Sequence, residues 1–505
     1  MGEPPSIVAC RPRSNRLGRP RRSPDDAYAP TSAVADAHAA SPEVEGASLL
    51  MTLARRVRRR SKPRCGGTDE QAKDYRRMNM IDDVADQLNQ GCFCTTLNRA
   101  RLEAAFVREV EDPALLELLR EGRPHLFSNI SVFIHNDSFA EMARAVRTIE
   151  AVVKLPEYTK RVLDWAPAIA RIDHGPAGAF MGYDFHVGAD GPKLIEINTN
   201  AGGAFLSAVL ARAQSACCGT SPSSRPGFPD DFERAVVGMF EQEWRLQGKS
   251  GRPSRIAIVD DRPDEQYLYP DFVLAKRLLE RNGFEVVIAD PEDLTYRAGQ
   301  LICDGVPIDL VYNRVVDFSF AESGHRALRE AFERGEVVFT PNPHVHARLA
   351  DKRNLTLLSN PEELRAFGLS ECDIQFLTDV IPSTMSVTTK NASELWAARR
   401  DFFFKPARGH GSKAAYRGAK LTKRVWAEIV EGTYVAQRFA PPSERMVSID
   451  NAAEPRKIDV RLYTYRGEVL LTAARLYKGQ TTNFRTEGGG FAPVLRTSML
   501  EQCPD

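Results

Sequence analysis

The stretch Phe402-Phe-Phe-Lys-Pro-Ala-Arg-Gly-His-Gly-Ser-Lys413 joins an apolar run to a loop with glycines at positions 409 and 411. The apolar run predicts a β-strand that ends near Lys405. Backbone amides in such a loop can approach phosphate oxygens closely, and Lys405 adds a fixed positive charge. The spacing is not that of a Walker P-loop or a Rossmann fingerprint, and taken alone it is more typical of a surface hairpin.

Four further features surround this stretch in a fixed order. Asp351-Lys352 precedes a predicted helix and offers a second lysine to phosphates. Tyr434-Val-Ala-Gln-Arg-Phe439 is an apolar strand whose backbone can hydrogen-bond the edge of an adenine ring. Lys457-Ile-Asp-Val-Arg461 leads through a hairpin to Ala474-Arg475, and Asn483-Phe-Arg-Thr-Glu-Gly-Gly-Gly490 closes the series. Basic groups on adjacent strands can converge on a phosphoryl group during its transfer, where their charge has most effect.

A second informative region lies much earlier in the chain. Ala179-Phe-Met-Gly-Tyr-Asp-Phe-His-Val187 and Lys193-Leu-Ile-Glu-Ile-Asn198 are joined by a short Gly/Asp/Pro connection and predict a β-hairpin. Glu196 and Asn198 share one face of their strand, and a paired strand can place Asp184 beside them. Mg²⁺ prefers such oxygen ligands. The alternative is a solvated acidic face, but the apolar neighbours of Glu196 indicate that both faces are mostly buried.

The order of these motifs resembles the ATP-grasp superfamily over residues 351 to 494. The matching pattern is Asp-Lys, Lys-Pro-x-x-Gly-x-Gly-Ser, Tyr-Val-x-Gln, Asp-x-Arg, Arg and Asn-x-x-x-x-Gly-Gly. In ordinary members an Asp and then Glu-x-Asn follow the last motif and hold magnesium. Here the matching residues lie earlier, at Asp184 and at Glu196-Ile-Asn198. This displacement is similar to that in the eukaryotic glutathione synthetases and the glutathionylspermidine synthetases, whose domains are circularly permuted.

The resemblance implies ATP and Mg²⁺ as cofactors and assigns roles to named positions. Asp184, Glu196 and Asn198 are expected to hold Mg²⁺, and Arg475 and Lys405 to act in catalysis. The residues expected to bind the nucleotide are Lys352, Lys405, Arg408, Gly409, Gly411, Ser412, Gln437, Phe439, Asp459, Arg461 and Asn483.

The sequence also departs from the permuted families at one position and leaves two candidates open. Glutathionylspermidine synthetases usually have an Arg two residues before the first metal-binding Asp, and this chain has Gly182, so Arg475 or Arg171 is expected to replace it. Arg314 ends a predicted strand, where it can bind an acidic substrate or form an ordinary salt bridge. The segment Asn198-Thr-Asn-Ala-Gly-Gly203 can donate to a substrate carboxylate or be only a turn. No motif identifies glutathione as a substrate.

Composition shifts divide the chain into four parts. Residues 1–75 are rich in Pro, Arg, Ser and Ala and predict a disordered basic tail. Residues 76–220 hold a helical region and the displaced hairpin, and residues 221–350 a linker, a helix and alternating strands and helices. Residues 351–505 form the expected nucleotide-binding domain. The predicted fold class is therefore α/β (α+β), a circularly permuted ATP-grasp fold with a pre-grasp open α/β domain and a disordered N-terminal tail.

The charge balance argues against large anionic partners. The 505 residues contain 68 Lys plus Arg against 67 Asp plus Glu, so no overall field attracts nucleic acid or an anionic membrane. Hydrophobic residues make up 43%, as in ordinary globular proteins. No apolar stretch approaches the roughly 20 residues that span a bilayer, and no secretory signal is found at the start. We expect a cytoplasmic protein that binds neither nucleic acid nor membranes.

The predicted function is ATP-dependent ligation of a small-molecule carboxylate to an amine or a thiol through an acyl phosphate. An ATP-grasp small-molecule kinase and a catalytically silent nucleotide-binding regulatory protein are the alternatives. The complete Asp/Glu/Asn set and both lysines argue against the silent protein. The identity of the two substrates does not follow from the sequence, and a homo-oligomer is compatible with it.

Overall fold

A computed structural model describes residues 84–94, 97–110, 112–213, 230–409 and 414–497. Every described residue belongs to one compact unit, residues 64–505. The predicted disordered tail, residues 1–75, lies outside the described residues. So do Gly411 and Ser412, which the sequence assigned to nucleotide binding.

Helices and strands alternate along most of this unit. The helices are α1 (84–91), α2 (Arg99–Val110), α3 (Pro113–Arg120), α4 (Asn136–Val152), α5 (Pro156–Leu163), α6 (Ala204–Arg212), α7 (Asp230–Leu246), α8 (Tyr269–Arg281), α9 (Arg326–Arg334), α10 (Pro343–Leu349), α11 (Asn354–Leu358), α12 (Pro361–Ala366), α13 (Glu371–Val380), α14 (Ala392–Ala397) and α15 (Lys423–Glu431). The strands are β1 (Val132–His135), β2 (Met181–Gly188), β3 (Gly191–Asn198), β4 (Arg255–Val259), β5 (Glu285–Ala289), β6 (Thr295–Arg297), β7 (Gln300–Cys303), β8 (Val306–Ile308), β9 (Leu310–Asn313), β10 (Val338–Thr340), β11 (Thr384–Ser386), β12 (Phe402–Pro406), β13 (Tyr416–Arg417), β14 (Tyr434–Arg438), β15 (Glu444–Ile449), β16 (Ala452–Tyr465), β17 (Glu468–Tyr477) and β18 (Gly490–Thr497).

The largest sheet unites strands from distant parts of the sequence. Its order is β1-β18-β17-β16-β2-β3, and β15 also pairs with β16. The hairpin β2-β3 joins the C-terminal strands through antiparallel pairing of β2 with β16, which sets Arg461 opposite Asp184. Within the hairpin, Asp184 lies opposite Glu196. The predicted hairpin is therefore confirmed, and it completes the C-terminal sheet as the predicted displacement requires.

Helix α4 covers one face of this sheet. Its apolar residues Met142, Val146 and Ile149 recur at the spacing of one helical face, and all are fully buried. They belong to the same core as Val460 and Leu476 of the central strands. At its start, the His135 side chain accepts a hydrogen bond from the Asp137 amide and caps the helix.

The helical region predicted within residues 76–220 contains one strand that the sequence analysis did not predict, β1. Strand β1 pairs in parallel with β18 and sets Val132 opposite Val494. All four of its residues are buried. A four-residue apolar run has no periodicity that distinguishes a strand from a buried helix segment, so the sequence pattern does not reveal it.

A parallel sheet in the order β10-β9-β4-β5 forms the predicted open α/β part. Every residue of β4 is buried, as expected for a central strand with both faces covered. The fold class predicted from the sequence is confirmed in this parallel sheet and in the displaced hairpin. Strands β6-β7-β8 add a small antiparallel sheet that the sequence pattern did not indicate.

A third sheet, in the order β11-β14-β12-β13, holds the Lys405 strand. Its strands are antiparallel, and β14 has partners on both sides. Helix α15 packs on it through Ile429 and Trp426, against Phe404 of β12. Among the described residues, no helix is long and apolar enough to cross a membrane.

Candidate active site

A cleft of about 1070 Å³ lies between the third sheet and the seven-stranded sheet. We call it the first cleft. Of the residues predicted to form the site, the structure brings Glu196, Lys352, Lys405, Gly409, Gln437, Phe439, Asp459 and Arg475 to its walls. They come from elements that are far apart in the sequence, and the pairing of β2 with β16 accounts for their meeting.

Two lysines lie in the first cleft and bind neighbouring oxygen atoms. Lys405 is buried, and its Nζ donates to the Ile195 carbonyl at 2.6 Å and to Gln437 Oε1 at 2.8 Å. Lys352 Nζ lies 3.0 Å from Glu196 Oε1 and donates to the Gly409 carbonyl at 3.0 Å. Burial lowers the pKa of Lys405 to about 8, although the charge of Glu196 acts to raise it.

A buried cluster of charges lies behind the wall of the first cleft. Arg475 lines the cleft, whereas Asp184 and Arg461 line neither of the two described clefts. Asp184 is only 1% exposed. Arg461 donates to its two carboxylate oxygens, at 2.6 Å each, and Arg475 donates to Oδ2 at 2.8 Å. Burial alone would raise the pKa of Asp184, but Arg461 and Arg475 hold it at about 2. The cluster is thus a charge-paired unit that fixes the orientation of both arginines.

The Gly182 departure also has a structural explanation. A Cβ atom at Gly182 would lie 2.6 Å from the Ala201 Cβ and 3.3 Å from Arg461 Nε, so Ala201 and the Arg461 side chain leave no room for a larger residue. Of the two replacements considered from the sequence, Arg475 contacts Asp184. Arg171 instead donates to the Leu163 carbonyl and does not line either described cleft.

Asp459 is a buried carboxylate in the wall of the first cleft. Its Oδ2 accepts from Thr482 Oγ1 at 2.9 Å and from Arg475. Its Oδ1 is buried and has no hydrogen-bond partner among the described residues. Burial raises the pKa of Asp459 to about 6, against the lowering effect of Arg475. Thr482 was not singled out from the sequence, because a lone threonine in a loop carries no pattern.

The predicted magnesium ligands retain oxygen atoms for a cation. Asp184 Oδ1 accepts one hydrogen bond, from Arg461, which leaves it a lone pair. Asn198 donates through Nδ2 to Asp184 Oδ2 at 3.1 Å, so its Oδ1 is not used in that bond. Glu196 is partly exposed, and although burial acts to raise its pKa, Lys352 and Lys405 lower it and keep it charged. Two carboxylates and one amide are a plausible donor set for Mg²⁺. No cluster of three His, Cys, Asp or Glu side chains suited to a metal occurs among the described residues.

A second cleft of about 1130 Å³ adjoins the first. Lys352 and Gly409 line both clefts, so the two meet there. Asn198 and Arg408 line the second cleft only. Arg408 donates to the Trp165 carbonyl at 2.5 Å. Its predicted contact with the nucleotide stays a prediction.

Two groups predicted to contact the nucleotide have partners within the protein. The Asn483 side chain holds its own loop, donating to the Lys478 carbonyl at 3.0 Å, and it lines neither described cleft. The adenine edge was expected at the backbone of the strand that ends near Phe439. However, the amide of Arg438 donates to the Ser383 carbonyl at 2.8 Å and that of Phe439 to the Asp401 carbonyl at 2.7 Å. These two amides are therefore unavailable to a base.

His186 is a further residue of the first cleft that the sequence did not indicate. It lies two positions after Asp184, on the same face of β2. Its Nδ1 contacts the Ala440 carbonyl at 2.7 Å. Burial lowers the pKa of His186 to about 4, so the ring is neutral. Its position on the strand was visible from the sequence, but the meeting with Ala440 was not.

Comparison with known proteins gives structural matches. No protein-family model matches the sequence, and no curated protein matches it significantly. A glutathione synthetase-like effector from Globodera pallida is 12% identical, with a TM-score of 0.47, and the match covers 74% of this chain and 90% of the effector. A putative gamma-glutamylcysteine synthetase from Methylobacillus flagellatus is 10% identical, with a TM-score of 0.41, covering 66% of this chain and 83% of the other. The ATP-grasp ligase PsnB, solved with a minimal precursor, Mg and ADP, is 15% identical, with a TM-score of 0.25, covering 47% and 87%.

Proposed function

We propose that this protein is an ATP-dependent ligase that joins a carboxylate to an amine or a thiol through an acyl phosphate. The observation that carries the proposal is the junction of the two clefts at Lys352 and Gly409. A triphosphate in the first cleft would present its terminal phosphoryl group to an acid in the second. Holding two reactants in this way is the main contribution that a protein makes to phosphoryl transfer.

The charge of the first cleft supports a polyphosphate ligand. The cationic residues among the described walls are Lys352, Lys405, Arg417, Lys420, Arg438, Lys457 and Arg475. The carboxylates there are Glu196 and Asp459. Seven positive charges against two negative ones in a partly desolvated cleft favour a ligand that carries several negative charges.

The proposed site residues would have three roles: binding phosphate, stabilising the transferring group and holding the metal ion. Lys352 and Lys405 would bind phosphate oxygens, and Arg475 would stabilise the transferring group as its charge moves towards the leaving oxygen. Asp184, Glu196 and Asn198 would hold Mg²⁺, which would neutralise the phosphates when bound.

The second substrate is not assigned to Arg314. Its side chain is 6% exposed and lines neither described cleft. Its Nη1 donates to the Tyr312 hydroxyl at 3.4 Å, and its charge acts to lower the pKa of the buried carboxyls of Asp260 and Asp271. The acidic-substrate alternative for Arg314 therefore does not form part of the proposed function.

The test uses purified protein, MgATP, and pools of amino acids, polyamines and small peptides. The expected result is ADP release that needs both an acid and an amine or thiol, with a joined product identified by mass spectrometry. The matched control is Lys405→Met, which keeps the side-chain length and removes the charge. A phosphorylated acid that accumulates without any second substrate would favour the kinase, and failure to bind ATP at all would overturn the proposal.

A further inference from the structure

The walls of the two clefts differ in the pairing of their polar side chains. In the first cleft, five side chains each have a buried polar atom without a hydrogen-bond partner among the described residues: His186, Arg417, Gln437, Asp459 and Arg475. In the second cleft, no described side chain of the wall has such an atom. Because buried polar groups are almost always paired, the first cleft suits a polar ligand. The wall of the second cleft sets no such requirement.

The polar side chains that line the second cleft are held by other parts of the protein. Thr199 Oγ1 lies 2.7 Å from His346 Nδ1. The side-chain amide of Asn200 donates to a backbone carbonyl at 3.2 Å. Asp351 Oδ2 accepts from Arg353 at 2.5 Å. These groups make their hydrogen bonds without a ligand, so an uncharged polar substituent of a substrate would gain little from them.

The other carboxylate of this wall, Asp317, fixes the segment that follows it. Its side chain accepts from the amide of Ser319 at 3.0 Å and from that of Ala321 at 2.6 Å. The same carboxylate lies 3.1 Å from Nδ1 of the buried His325. Residues 316–319 are therefore held in one arrangement before any substrate binds, which lowers the entropy cost of binding.

This fixed segment contributes apolar side chains to the second cleft. The apolar residues of the wall include Ala166, Pro167, Val316, Phe318 and Pro343. Val316 is 41% exposed. The ring of Phe318 stacks on that of His346, with the ring centroids 3.9 Å apart. An apolar group that covers the exposed methyl groups of Val316 removes them from water, and this burial favours binding.

We propose that the acid bound in the second cleft carries an apolar side chain, and that Val316 determines this specificity by packing against it. The inference rests on the proposed function, which places the carboxylate of the acid near Lys352, where the two clefts meet. The apolar part of the acid would then lie against residues 316–319. A polar side chain of the same size would lose its hydrogen bonds to water and find the polar groups of the wall already engaged.

The test compares acids of nearly equal shape, with hydroxylamine as the nucleophile. One pair is leucine and asparagine, and the other is 4-methylpentanoate and succinamate, which lack the α-amino group. Within each pair an isopropyl group replaces a carboxamide. A carboxylate oxygen attacks the terminal phosphorus of ATP, and ADP leaves. The nitrogen of hydroxylamine then attacks the acyl carbon and loses a proton as phosphate leaves, which gives a hydroxamate that is measured by its colour with iron(III).

The preference for the apolar acid should depend on Val316. Wild type should use the apolar member of at least one pair with a kcat/KM at least about tenfold above that of its polar partner. Val316→Thr keeps the shape of the side chain but replaces a methyl group by a hydroxyl, so this preference should fall about fourfold. The matched control is Val306→Thr. Val306 is 42% exposed and lines neither described cleft, so its variant should keep the wild-type preference.

The ratio within a pair separates specificity from stability, because partial unfolding would lower the rates with both acids and leave their ratio unchanged. Equal use of both members of each pair overturns the inference, and so does a preference for the polar member. A wild-type ratio in Val316→Thr overturns the role of Val316. If none of the four acids yields a hydroxamate, calorimetric titration with MgATP separates the two proposals. Binding of MgATP then overturns the inference alone, and absence of binding overturns the proposed function as well.

Discussion

The affinity for MgATP should fall at alkaline pH because Lys405 loses its proton there. Its ammonium is buried, and burial lowers its pKa to about 8. With that value the side chain is about nine-tenths protonated at pH 7 and about one-tenth protonated at pH 9. Phosphates bind the charged form, so the dissociation constant should rise about tenfold between these pH values and then by about tenfold for each further unit.

Calorimetric titration of MgATP across this pH range measures the effect. The control is Lys405→Arg, since a guanidinium stays charged throughout and should give a flat profile. Lys405→Met should bind weakly and also show no dependence on pH. The reasoning is refuted if wild type has a flat profile, or if Lys405→Arg shows the same tenfold loss as wild type.

Two further predictions concern the neighbouring charges. Glu196→Gln should lower ATP turnover by at least about 100-fold, while the melting temperature stays close to that of wild type. Full activity in this variant would contradict the assignment of Glu196 as a metal ligand. Arg461→Met should lower the free energy of unfolding by about 3 kcal/mol, because Asp184 stays buried with only part of its charge compensated. Urea titration measures this loss of unfolding free energy. The loss caused by Arg461→Met should be smaller in a chain that already carries Asp184→Asn. A loss below about 1 kcal/mol for Arg461→Met alone would contradict the ion-pair account.

The parts of the fold that depend on local pattern could be predicted from the sequence. Strand β12, observed at Phe402–Pro406, follows from an apolar run that meets Lys405 and then glycines. The hairpin β2-β3 follows from two alternating runs and a short turn. The parallel sheet follows from the alternation of strands and helices after the linker. Each of these patterns is complete within a few adjacent residues.

The parts that depend on register between distant strands could not be predicted. Arg461 lies opposite Asp184 although 277 positions separate them. The sequence near Asp184 therefore contains no pattern that predicts this ion pair. The backbone of β14 looked available to a base, but pairing on both sides uses its amides. The contact of His186 with the Ala440 carbonyl joins residues 254 positions apart. Such contacts follow from the assembled sheet and leave no local signal.

The transfer of an isotope from the acid to phosphate tests the central claim most directly. An acid labelled with ¹⁸O in its carboxylate would attack the terminal phosphorus of ATP through that oxygen, and the later attack of the amine or thiol would release phosphate that retains it. Mass spectrometry of the products should therefore find one ¹⁸O atom in inorganic phosphate for each joined product, with ADP as the nucleotide. Label in AMP, with release of pyrophosphate, or unlabelled phosphate would contradict the acyl-phosphate mechanism.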